Sequence, residues 1–222
     1  MSGRGLLHLG REAVLMELAL YRSLGRWIAR RPDVPDGATP LRSAQLVGPM
    51  LWLWILGSAT ETVAVELVLR HVDADWAEAI RLPLLVLGIW GVLWMLGMLA
   101  SYRVRPHLLE ADHLRVRNGA RTWVDVPLAA LTRARSVEHE LPGTIRAVHH
   151  EDGLLLVGVS GRTNLELDLG GPTVLRSSRG EVTADRVGLW VDEPRDVVRE
   201  LASRIAVRPC SRHSPAGDLP PW

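Results

Sequence analysis

The chain has no Lys and no Phe, only two Tyr, and a single Cys among its 222 residues. One thiol closes no internal disulfide and builds no zinc site, and Cys210 stands alone in a Pro-rich tail. The missing Lys and Phe fit a GC-rich coding sequence and bear on no mechanism; all fixed positive charge is Arg. Also absent are a Walker loop, a GxSxG elbow and an HExxH motif, so the sequence offers neither an enzyme nor a cofactor site. Leu6–Leu9 is too short for the apolar stretch of a secretory signal, and Arg11 and Glu12 interrupt it. Residues 103–207 hold fifteen Arg against fifteen acids. That neutral balance gives no electrostatic reason to expect nucleic acid as a partner.

Against these absences stand two long uncharged runs. Leu82–Ser101 is twenty residues without charge, about 30 Å as a helix and matched to a bilayer core. Arg81 bounds it on one side; Tyr102, Arg103 and Arg105 bound it on the other, as interfacial and snorkelling residues do. Pro83 is expected in its first turn, where a missing N–H costs least. Gly88, Gly91 and Gly97 are positioned to admit a neighbouring helix. The other run, Ser43–Thr60, continues through Glu61 and Glu66 to Arg70, with Pro49 expected to kink it. The spans are thus expected at about 43–69 and 82–102, within a hairpin 43–102. A straight first helix leaves Glu61 near the far interface and Glu66 at or beyond it. A tilted one reaching Leu69 holds Glu61 inside the membrane, where a carboxylate is a functional candidate. The two are five residues apart and share no face well, which argues against a paired cation site.

Arg22, Arg26, Arg30, Arg31 and Arg42 precede the first span, and Arg103 and Arg105 follow the second. The positive-inside rule then puts both termini in the cytoplasm of a plasma-membrane protein and the connector 70–81 outside, with Trp76 near the outer interface. Residues 6–31 read as a helix ended by Pro32, within an N-terminal segment 1–31. Val14, Leu18, Tyr21 and Ile28 form an apolar stripe, and Arg22, Arg26 and Arg30 a basic row suited to inner-leaflet headgroups. The competing reading packs this helix on the soluble domain or on a partner. Residues 32–42 read as a Pro- and Gly-rich linker.

Beyond Tyr102 the apolar pattern shortens and alternates. His113–Arg117 and Arg121–Val126 flank Asn118-Gly119, a hairpin signal. Further strands are expected at 132–137, 145–149, 154–159, 164–169, 173–177 and 187–191. Asp192 reads as the N-cap of a helix whose stripe is Val197, Val198, Leu201 and Ile205. His149, His150, Glu151 and Asp152 are the densest set of potential ligands, but neighbours on a strand point oppositely and Asp152-Gly153 is a turn. His139, between Glu138 and Glu140, reads as a solvated strand end. The tail 208–222 is expected to be disordered.

The stretch Leu108–Val137, with HLRVRNG, Val126-Pro127 and the short Leu-Ala-Ala-Leu segment, resembles the opening of bacterial pleckstrin-homology-like domains, which carry a membrane helix hairpin just ahead of them. LWVDEPRDVVRELASRI is similar to their closing strand and capping helix. Over residues 43–207 the chain resembles actinobacterial membrane proteins of this layout. The resemblance implies a sandwich of two bent sheets closed at one end by a helix, and transfers no catalytic residue. It transfers no lipid site either, because no loop carries a basic cluster; Arg115, Arg117 and Arg121 alternate on a hairpin as a solvated face does.

The expected fold is an α+β membrane protein: an amphipathic N-terminal helix, a two-helix transmembrane hairpin, and a small pleckstrin-homology-like β-sandwich or barrel closed by a C-terminal helix. The expected role is a non-enzymatic interaction module, bound to the lipid bilayer and to a protein partner or to itself. The alternatives are a small oligomeric transport or accessory component using Glu61, and a sensor of anionic lipid.

Overall fold

A computed structural model of the chain describes residues 3–142 and 147–206. The tail 208–222 and the start of the strand expected at 145–149 lie outside the described residues. Four helices and eleven strands follow in order: α1 Gly3–Ile28, β1 Thr39–Leu41, α2 Gly48–Arg70, α3 Asp75–Val104, β2 His107–Leu109, β3 His113–Asn118, β4 Thr122–Pro127, β5 Leu131–Arg135, β6 His139–Glu140, β7 Val148–Glu151, β8 Leu154–Val157, β9 Arg162–Thr163, β10 Leu165–Ser177, β11 Gly180–Leu189 and α4 Pro194–Ala206.

α2 and α3 are long and apolar enough to cross a membrane, and only 11% of each apolar window is buried. A core helix of a soluble protein hides such residues; here Leu53 is 72% exposed and Leu82 66%. Pro49 sits in the first turn of α2 and makes no kink, because the helix begins at Gly48 and not at Ser43. Pro83 lies inside α3, whose first turn is set further back by Asp75 and Glu78, acids that favour a helix N-terminus. The connector shrinks to 71–74. Of the three glycines, Gly88 meets Thr62 of α2, Gly97 meets the Cβ and backbone of Leu20 in α1, and Gly91 has no neighbour within 4 Å among the described residues.

The sheet is mixed. Its order is β1-β2-β3-β4-β10-β11-β8-β7, with β5 also paired to β10 and β6-β9 forming a separate ribbon. β11 runs parallel to β8, and the other pairings are antiparallel. Of the expected sandwich or barrel, the described residues form a single open mixed sheet with a separate ribbon and no closed barrel; β1 and β7 remain as edges. The linker reading of 32–42 needs correction at Thr39–Leu41, which pairs with β2. An edge strand tolerates Pro40, whose missing N–H is no loss on the outer side. The strands expected at 164–169 and 173–177 are one strand, β10, whose register shifts between Asp168 and Thr173. Its first half pairs with β5 and its end with β4, so the sheet bends around a shared core.

That core follows the alternation. In β3, Leu114 and Val116 point inward while Arg115 points out to Asp125, its partner across the β3–β4 ladder. Val197 and Leu201 of α4 close the same core. A second cluster joins the halves: Val47 just ahead of α2, Leu51 and Ile55 of α2, Leu99 of α3 and Val159, with Trp27 and Trp190 packed on it. Asp192 caps no helix here. Its carboxylate accepts the N–H groups of Ala44 (3.2 Å) and Gln45 (3.0 Å), tying the lead-in of α2 to the end of the sheet.

Candidate functional site

α1 presents three faces. Leu20 and Ser23 are buried, and Leu20 packs against Gly97 of α3. Val14, Leu18 and Ile28, from the expected apolar stripe, remain 57%, 60% and 74% exposed. Glu12, Arg22 and Arg26 lie on the third, toward the sheet. Glu12 accepts from Arg121 at 2.7 Å, while Arg22 and Arg26 line a pocket of about 390 Å³ with Asp33 and Arg105.

Asp33 organises that pocket. Its backbone N–H donates to the Val104 carbonyl at 2.7 Å, fixing the loop after α1 to the end of α3. Its carboxylate pairs with Arg26, with Arg105 at 3.4 Å and with Arg117 at 3.6 Å. Burial pushes the Asp33 carboxyl up, but the three guanidinium groups outweigh it and hold the carboxyl below its ordinary range. Desolvation lowers Arg105 and Arg117, only partly offset by Asp33. One carboxylate is too little counter-charge for the Arg gathered there.

Of the inner-leaflet candidates, Arg26 is thus committed to Asp33, Arg22 faces the pocket, and Arg30 lies past the end of α1, exposed, in the left-handed region at φ 54. They do not form one row.

Between α2 and α3 lies a cleft of about 240 Å³ lined by Ser58, Glu61, Thr62, Glu66 and Arg81. Glu66 pairs with Arg81 at 3.5 Å and its Oε2 is buried without a hydrogen bond among the described residues, while Glu61 is exposed. Sequence spacing treated Arg81 as the end of a span; lengthening α3 to Asp75 is what brings it opposite Glu66.

His107, where α3 hands over to the sheet, is fully buried and accepts the Arg117 N–H at Nδ1 (2.9 Å). Nε2 then carries the proton and donates to the Trp190 carbonyl at 2.8 Å. Burial pushes its pKa down to about 4. His139 is no solvated end: its Nε2 meets the buried carboxylate of Glu166, which Arg135 also holds. His149 pairs with Glu151 at 3.0 Å on β7, two residues apart on one face. Among the described residues, Glu110, Asp112 and His113 come within 4.8 Å of one another. The turn is open and Asp112 occupies His113 Nδ1 at 2.7 Å, which suits a surface ion pair.

Fold and site define a class: a mixed-sheet body packed against a hairpin of two long, apolar, exposed helices. No protein-family model, curated protein or solved structure matches the chain.

Proposed function

We propose that the chain is a membrane-anchored, non-enzymatic interaction module. The α2–α3 hairpin spans the bilayer, the apolar stripe of α1 lies on the inner leaflet, and a pleckstrin-homology-like sheet faces the cytoplasm. The observation that carries this is the exposed apolar surface of α2 and α3 beside a sheet body with a core of its own. Such a surface in water costs about 25 cal/mol per Å². The exposed apolar residues Val14, Leu18 and Ile28 of α1 support the same plane.

Cys210, the only thiol, provides the test. In intact cells a membrane-impermeant maleimide is expected to leave it unlabelled and to label it after permeabilisation; Asp73→Cys in a Cys210→Ser background reverses the pattern. Labelling of Cys210 from outside would reject the orientation, and release of the chain by alkaline carbonate would reject the span. Purification of the full chain in mild detergent is expected to bring a stoichiometric protein or a second copy.

The buried Oε2 of Glu66, without a hydrogen bond among the described residues, beside a largely apolar cleft that also holds Glu61, favours a second reading, a small transport component using Glu61. In that case Glu61→Gln abolishes an ion-dependent flux in liposomes while expression is unchanged.

A further inference from the structure

We propose that the pocket between α1, the end of α3 and the β3–β4 turn binds a phosphate-bearing anion, with a lipid headgroup as its physiological source. Arg22, Arg26 and Arg105 line it, and Arg117 stands behind Asp33. Four guanidinium groups face one carboxylate. Of the other acids, Glu12 is already matched by Arg121, and Glu110 adds counter-charge at Arg117, which stands outside the pocket lining.

The imbalance is partly buried. The Arg117 side chain is 7% exposed and that of Arg105 19%; the Nε of Arg105 has only the Asp33 carboxylate, at 3.4 Å, and the Nε of Arg117 lacks a hydrogen-bond partner among the described residues. Buried donors without acceptors and like charges without counter-charge are costly. A phosphate against Arg22, Arg26 and Arg105, the Arg that line the pocket, supplies counter-charge and acceptors, because Arg presents a planar fork that matches its oxygens.

The volume admits more than a bare ion, and one wall is apolar. Leu15 and Leu18 line it, and Leu18 also belongs to the exposed stripe of α1. A headgroup in the pocket would leave its acyl chains along that stripe. This lipid source rests on the membrane reading above; binding of phosphate itself does not.

The test uses the full chain in mild non-ionic detergent, with native mass spectrometry and thermal unfolding as readouts. The probes are inorganic phosphate, short-chain phosphatidylglycerol, and short-chain phosphatidylcholine as the zwitterionic control. Phosphatidylglycerol is expected to bind as one equivalent, to raise the unfolding midpoint and to be displaced by inorganic phosphate; phosphatidylcholine is not. Arg22 makes no ion pair among the described residues, so Arg22→Gln is expected to keep the ligand-free midpoint while weakening binding by about tenfold. Arg30→Gln removes the same charge outside the pocket and leaves binding unchanged. Binding of inorganic phosphate without the lipid supports the site and assigns it to a soluble phosphate ester. Wild-type affinity in Arg22→Gln, equal loss in Arg30→Gln, equal binding of the zwitterionic lipid, or no binding of any probe overturns the proposal. Failure of the Cys210 labelling pattern sinks the membrane reading and leaves the phosphate result standing.

Discussion

His107 and Glu166 are buried polar residues whose partners lie far away in sequence, and each sets a measurable stability. With its pKa near 4 in the fold against 6.5 unfolded, His107 takes up a proton more readily once the chain unfolds. Stability is therefore full above pH 6.5 and falls as pH drops toward 4. At about 1.4 kcal/mol per pH unit the loss is roughly 3 kcal/mol. Unfolding midpoints of the detergent-solubilised chain should show this decline, and His107→Gln should remove it. Asp33, held low by its Arg neighbours, contributes in a separate window: its stabilisation is present above pH 3.8 and is lost as pH falls further. Glu166→Ala leaves Arg135 and His139 without their shared acceptor and is expected to cost about 1–3 kcal/mol by denaturant titration, since Arg135 keeps Asp168 as a partner at 3.1 Å. Neither residue's role was legible from its neighbours. The β5–β10 register places Glu166 opposite Arg135, and strand pairing is what local pattern leaves open.

Elements were read more successfully than their joints. The apolar runs, the Asn118-Gly119 hairpin and the stripe of α4 are local signals, and the helices and strands they imply are present. Boundaries moved where a tertiary partner decided them. Thr39–Leu41 becomes a strand because β2 offers an edge, and α3 begins early because Asp75 and Glu78 suit its first turn. β10 is continuous because a register shift absorbs Gly170-Gly171, where two separate strands were expected. The crossing of α1 on α3 is the joint most open to test. A Cβ on Gly97 would stand 3.0 Å from Leu20 Cβ and 3.2 Å from its backbone oxygen, so even Ala is tight and Val must push the helices apart. Gly97→Val is expected to make α1 markedly more sensitive to limited proteolysis while the β-sheet signal in circular dichroism persists. Unchanged cleavage would mean that α1 is held mainly by its ion pairs to the sheet side.

The pocket above Asp33 shows why the candidate site lay beyond sequence reading at the scale of the whole molecule. Its Arg residues come from α1, from the exit of α3 and from β3, and no spacing rule joins positions 26, 33, 105 and 117. The same assembly makes hairpin and sheet one structural unit. Val159 and Trp190 of the sheet body pack with Leu51, Ile55 and Leu99 of the long helices, Asp192 holds Ala44 and Gln45, and β1 covers β2. Cutting the chain at residue 103 removes all three supports and uncovers an edge strand, a feature prone to association. The fragment 103–207 is therefore expected to bind a hydrophobic dye, to unfold well below the full chain and to self-associate. Restoring Thr39–Leu41 by a flexible linker covers the edge of β2 but not Val159 and Trp190, and so recovers only part of the difference. A fragment as stable as the full chain, and free of dye binding, would show that the sheet tolerates separation and that the second cluster serves orientation instead of stability.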